Sequence, residues 1–167
     1  MSKDHSRCHS HRDGILIKKQ YDKIYRYCYF KLHNRELAED ITQETFLKYL
    51  ERYRFSSSET ALKYLYTIAG HLCIDQYRRP AVLPLEETAE QSSAPSGEDS
   101  LLTAIAVRRA LGEMTSEEQE LLLLRYVNEV PVGVIAKLFG ISRFTLRRKL
   151  LAASETLKNK LGEEDFL

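Results

Sequence analysis

Between residues 81 and 99 the chain reads AVLPLEETAEQSSAPSGED, and this stretch constrains the fold more than any other. It carries two Pro, one Gly and five acidic residues with no Lys or Arg, and its apolar positions follow no helical period. Such a composition buries too little apolar surface to offset the entropy of ordering the chain, so it reads as a flexible, acidic linker. Helical periodicity returns on both sides. The 167 residues are therefore expected to be all-α, in two small helical domains joined by that linker, rather than one body around one core.

Charge follows the same division. Residues 1 to 80 hold fifteen Lys and Arg against ten Asp and Glu, and residues 101 to 167 hold ten against nine, so a basic first half is hidden by a net charge of +1. No apolar run approaches the roughly 20 residues of a membrane span, and the opening MSKDHSRCHSHRDG lacks the apolar segment of a secretory signal. The expectation is a cytoplasmic protein without membrane insertion. Cys8, Cys28 and Cys73 are odd in number and share no CxxC spacing, which argues against a disulfide framework; Cys28 and Cys73 fall on apolar helix faces, where a thiol packs as a small core group. His5, Cys8, His9 and His11 are ligand types close together, but residues 1 to 14 read as a disordered tail, and neither a metal nor a cofactor is expected.

In the first domain, residues 15 to 80, one helix places Ile17, Tyr21, Ile24, Tyr25, Cys28 and Leu32 on a single face. HNRE breaks it, with Asn34 a candidate cap for the next helix. That second helix carries two stripes. Ala38, Ile41, Thr45, Phe46, Tyr49 and Leu50 make an apolar face, while Asp40, Gln43, Glu44 and Leu47 recur at the same spacing about a third of a turn away. A third helix, from residue 61 to 79, turns Leu65, Ile68, Ala69 and Leu72 inward and stops at Pro80. The second domain, residues 100 to 161, opens with SLLTAIAVRRALGEM and SEEQELLLLRYV, the latter with Ser116 as candidate cap; residues 162 to 167 form a tail.

The segment VGVIAKLFGISRFTLRRKL is the most specific. Ala136 is small where two helices approach, Gly140 suits a left-handed turn, Ile141 and Leu146 fill the gap between the helices, and Ser142 is placed to cap the second. This spacing describes a helix-turn-helix, whose second helix enters the DNA major groove. Ser142, Arg143, Thr145, Arg147, Arg148 and Lys149 are the candidate DNA contacts, because Arg pairs bidentately with guanine and any of the cations neutralises phosphate.

Taken together, these segments resemble a bacterial RNA polymerase sigma factor of the extracytoplasmic-function group, over about residues 15 to 161. LAEDITQETFLKYL looks like the region-two motif that binds core polymerase, LKYLYTIAGHLCIDQYRR like the segment that reads and opens the promoter, and SEEQELLLLRYV through SETLKNKL like region four. The resemblance implies core RNA polymerase, promoter DNA and an anti-sigma factor as partners, and no catalysis by the chain itself. It assigns Asp40, Gln43, Glu44 and Leu47 to the polymerase, the second helix of the helix-turn-helix to the minus-35 element, and residues 54 to 79 to the minus-10 element. There Phe55, Tyr64, Tyr66 and His71 would stack on or hydrogen-bond unpaired bases while Arg78 and Arg79 hold the backbone. It also implies that the acidic linker threads the RNA path of the polymerase.

The chain departs from the family pattern in having no Trp, with Tyr64 standing where Trp is frequent, His71 in place of Asn, Val134 in place of the Glu of an EIA triplet, and Ala152 in place of a frequent Arg. Two other readings compete. A stand-alone helix-turn-helix regulator would bind duplex operators without polymerase, usually as a dimer. An enzyme would use Asp40, Glu44, His71 and Asp75 as metal ligands, but the expected His-x-x-x-His or paired Cys are absent.

Overall fold

A computed structural model describes residues 5–52, 58–79 and 98–164, with side chains over 14–52, 59–79 and 100–162. Every element in these segments is helical, and the chain divides into two compact units, Met1–Glu87 and Thr88–Leu167.

The first unit is three helices, α1 (His5–Leu32), α2 (Arg35–Arg52) and α3 (Ser58–Arg78), each packed on the other two. α1 starts at His5, inside the stretch expected to be a disordered tail. Extending a helix whose later turns are already docked fixes one residue per hydrogen bond, and no Pro interrupts residues 5 to 14, so the polar segment continues it. The break after α1 is a left-handed His33 (φ 52°), whose N–H closes on the Tyr29 carbonyl at 2.8 Å. Asn34 then caps α2 as expected, its Oδ1 accepting from Leu37 N at 2.9 Å.

α2 buries Ala38, Ile41, Thr42, Thr45, Phe46 and Tyr49. Two of these carry aliphatic hydroxyls, and each is satisfied within its own helix: Thr42 donates to the Ala38 carbonyl at 2.6 Å and Thr45 to that of Ile41 at 2.7 Å. Phe46 stacks on Tyr21 of α1 with ring centroids 5.8 Å apart. Between α1 and α3, Tyr27 meets Tyr66 edge-on at 5.3 Å, and Gly70 leaves room for the Tyr27 hydroxyl, 3.3 Å from where a Cβ would sit. Cys28 and Cys73 are both buried in this core as thiols, without a disulfide. Hydrogen bonds from Cys73 and Thr42 lower the Cys28 pKa from its ordinary value, against the burial that raises it.

The second unit contains α4 (Glu98–Gly112), α5 (Ser116–Leu122), a π-helical segment (Leu123–Val127), α6 (Val132–Phe139) and α7 (Arg143–Glu164). Glu98 and Asp99, expected in the linker, form the start of α4, and residues 80 to 97 lie outside the described residues. α7 runs to Glu164, past the expected start of a tail at residue 162. The cap of α5 is Thr115, not Ser116: Thr115 has the extended backbone a cap requires (φ −67°, ψ 153°), and it exchanges bonds with Glu118 in a capping box. Gln119 closes the α4–α5 turn by donating to the carbonyls of Leu111 (2.6 Å) and Met114 (3.1 Å).

Val130, Val134, Ile135, Ala136, Leu146, Leu150 and Ala153 gather α6 and α7 onto the core laid down by Leu121, Leu122 and Leu124. Val134, the departure from the EIA triplet, is fully buried, so an apolar side chain suits its place in the core. Gly140 has the left-handed backbone of the turn (φ 64°), and Ile141 N reaches the Ala136 carbonyl at 3.0 Å.

Candidate functional site

Three helix faces carry side chains that the cores do not use. On α2 the buried residues recur at 38, 41, 42, 45, 46 and 49, which leaves Asp40, Gln43, Glu44 and Leu47 on the opposite side of the helix, farther round than the third of a turn expected. All four are exposed, Leu47 to 61%. Glu44 forms an i,i+4 ion pair with Lys48 at 3.3 Å, both about half exposed. A pair in that setting is worth a few tenths of a kcal/mol, so it does not hold Glu44 away from a partner. The face is a Leu ringed by acids and an amide, an apolar centre with a polar rim.

On α3 the residues Tyr64, His71 and Arg78 are spaced by seven and so fall on one line, away from the buried Leu65, Ala69 and Leu72. His71, Arg78 and Arg79 are exposed and Tyr64 is half-buried. Tyr77 is exposed on its ring but donates its hydroxyl to the Lys31 carbonyl, fastening the end of α3 to the end of α1.

Tyr66 does not belong with this set. It is 1% exposed, packed edge-on against Tyr27, and offers no ring face to a base. α3 contacts both α1 and α2, so its buried surface is wider than the single stripe Leu65, Ile68, Ala69 and Leu72; Tyr66 and Cys73 fill the α1 side, while Ile68 is only half-buried. Phe55 lies outside the described residues.

On α7 the inward line is Leu146, Leu150 and Ala153. Ser142 caps the helix, accepting from Thr145 N at 3.1 Å while its hydroxyl donates to Thr145 Oγ1 at 2.9 Å. Arg147 and Arg148 are exposed, and Arg148 lies directly opposite the buried line. Arg143 leans back on α6: its guanidinium Nη2 is 2.8 Å from where a Cβ on Gly133 would sit. Lys149 turns toward α5 and pairs with Glu117 at 2.5 Å, so this expected DNA contact is already ion-paired within the protein.

Phe144 is absent from the set expected on sequence grounds. It is 72% exposed in the first turn of α7, with the Arg148 guanidinium 6.0 Å from its ring centroid. The signal is there to be found, since a Phe outside the apolar repeat of a cationic helix has no core to enter. Among the described residues, no group of three or more His, Cys, Asp and Glu is placed to hold a metal, and no helix is long and apolar enough to cross a membrane. The side chains of His5, Cys8, His9 and His11 lie outside the described residues.

Two family models match this chain: Sigma-70 region 2 over residues 16–81 and Sigma-70, region 4 over residues 104–157. Among curated proteins, it is 28% identical to RNA polymerase sigma factor YlaC of Bacillus subtilis, over 92% of this chain and 98% of that one. It is 27% identical to ECF RNA polymerase sigma factor BldN of Streptomyces coelicolor, over 90% of this chain and 61% of that one. It is 25% identical to ECF RNA polymerase sigma factor SigW of Bacillus subtilis, over 85% and 84%. The solved RsbN-BldN complex aligns at 22% identity over 92% of this chain and 96% of that one, with a TM-score of 0.36, too low to carry a structural argument.

Proposed function

We propose a division of labour among the three faces, on the premise that the chain belongs to the sigma-70 family as an extracytoplasmic-function RNA polymerase sigma factor. As such it binds core RNA polymerase and directs promoter-specific transcription initiation. The observation that carries this is the order of the two family regions, the first falling within one compact unit and the second within the other. A stand-alone operator-binding regulator has no use for region 2.

In this reading Asp40, Gln43, Glu44 and Leu47 dock on core polymerase, with Leu47 the apolar anchor. The outer line of α7, with Arg147 and Arg148, reads the minus-35 element, while Ser142, Arg143 and Thr145 hold the backbone near the turn. Tyr64 and His71 meet bases released from the minus-10 duplex, and Arg78 and Arg79 bind the adjacent phosphates. Lys149 and Tyr66 have structural duties instead. Weak contacts in two tethered units add through effective concentration, which lets small modules specify one promoter. The protein works in the cytoplasm, is no enzyme in itself, and is held inactive by an anti-sigma factor.

Reconstitution of the full chain with core polymerase on genomic DNA, followed by sequencing of transcript starts, tests the function. Expected is a set of starts sharing two upstream elements; starts identical to those of core enzyme alone refute it. His71→Ala tests the division of labour. It is expected to reduce permanganate reactivity of minus-10 thymines on intact duplex, with much of the transcription restored on a premelted bubble. Unchanged reactivity removes His71 from the site.

A further inference from the structure

Over its first two turns the recognition helix presents an aromatic ring among outward cations, before Leu151 and Glu155 follow on the same face. Phe144 sits one turn before Arg148, on the side of α7 opposite Leu146, Leu150 and Ala153, and 72% of its surface is open to solvent. Its ring lies beneath the Arg148 guanidinium at 6.0 Å. A helix inserted through this face brings Phe144 and Arg148 to the floor of the groove, with Arg147 on the flank.

On that floor the base edges carry donors, acceptors and C–H positions, and the one apolar group that projects from them is the C5-methyl of thymine. A phenyl ring pressed on a purine or cytosine edge desolvates donors and acceptors without returning a hydrogen bond; pressed on a methyl group it buries apolar surface from both partners. The stacked guanidinium has fewer orientations to lose when it hydrogen-bonds a neighbouring base.

We propose that Phe144 is a specificity-determining residue that reads the methyl group of a thymine in the minus-35 element, beside the base read by Arg148. This rests on the reading of α7 as the recognition helix.

The test uses holoenzyme assembled from the full chain and core polymerase, on a promoter located by transcript sequencing. Each thymine of the minus-35 element, on either strand, is replaced singly by deoxyuridine, which removes the methyl group alone. At one position uracil is expected to weaken binding by about fourfold, the worth of one buried methyl. Phe144→Ala is expected to abolish the difference between thymine and uracil at that position and nowhere else, and Phe144→Leu to retain part of it, with circular dichroism unchanged for both. Uracil tolerated everywhere, an element without thymine, or a methyl preference that survives Phe144→Ala overturns the proposal. Arg147→Ala and Arg148→Ala on the same duplexes separate the two readings. If they relax base preference while uracil is neutral, α7 is the reader and Phe144 is not; if neither they nor Phe144→Ala alters preference, the assignment of α7 falls as well.

Discussion

α2 and α7 are built alike and decorated oppositely. Each lays one face on a core, Ala38, Ile41, Phe46 and Tyr49 in the first, Leu146, Leu150 and Ala153 in the second, and each points an exposed line the other way. The α2 line is acidic around a Leu; the α7 line, over its first two turns, is cationic around a Phe. Packing is indifferent to that sign, since neither line enters a core. The partner is not indifferent: a polyanion rejects the first face and attracts the second. In the proposed division of labour, function is thus written mainly in outward residues, and the same scaffold logic serves a protein contact and a DNA contact.

The comparison breaks most visibly on the inner faces, where the two helices are expected to behave identically. Phe46→Ala and Leu146→Ala, both buried, are each expected to destabilise the unit that holds them by about 2 to 5 kcal/mol, read by urea unfolding. A loss below about 1 kcal/mol at either would mean that helix is not held by its buried line.

The outer faces separate the helices. Arg148→Ala is expected to cost about 1 to 3 kcal/mol of promoter binding and nothing in binding to core polymerase, with stability unchanged. Equal losses at every DNA sequence, with a salt slope about one unit shallower, would move Arg148 from a base to a phosphate. The reversals Asp40→Lys and Glu44→Lys together are expected to weaken core binding about tenfold and to shift stability by only a few tenths of a kcal/mol, measured by competition binding and thermal unfolding. Undiminished core binding would dissolve the contrast.

The smallest effect sharpens the contrast at the helix starts. Asn34→Ala and Thr115→Ala each remove a side-chain cap and are expected to cost about 1 kcal/mol, whereas Ser116→Ala costs little, since Ser116 lies inside the helix. Denaturation midpoints of the three variants rank them.

Most helices and the turn chemistry were legible because local rules decide them. Gly140 marks a left-handed turn wherever the chain goes, Asn34 caps the helix that begins after it, and the spacing of Asp40, Gln43, Glu44 and Leu47 puts them outside any core that Ile41 and Phe46 enter. Departures arise where two local choices are nearly equal. Thr115 and Ser116 are adjacent hydroxyls with Glu118 and Gln119 three residues on, so either pair makes a capping box. Tertiary structure separates them: Gln119 is drawn to the Leu111 and Met114 carbonyls, and Glu118 is left to close on Thr115.

What the sequence by itself determined is helix type, approximate extent and the direction each face takes from its own axis, because period and cap chemistry are properties of neighbouring residues. How many partners a helix has was decided only in three dimensions. α3 touches two helices, so Tyr66 is drawn inward to Tyr27 and removed from the bases it was expected to meet, although nothing in its neighbours forbade exposure. Lys149 likewise reads as one more cation on the recognition helix until α5 brings Glu117 within 2.5 Å. The π-helical turn at Leu123–Val127 has no counterpart in the periodicity. Burial width and ion pairing depend on elements dozens of residues away, and a one-dimensional period carries no information about which of them arrive.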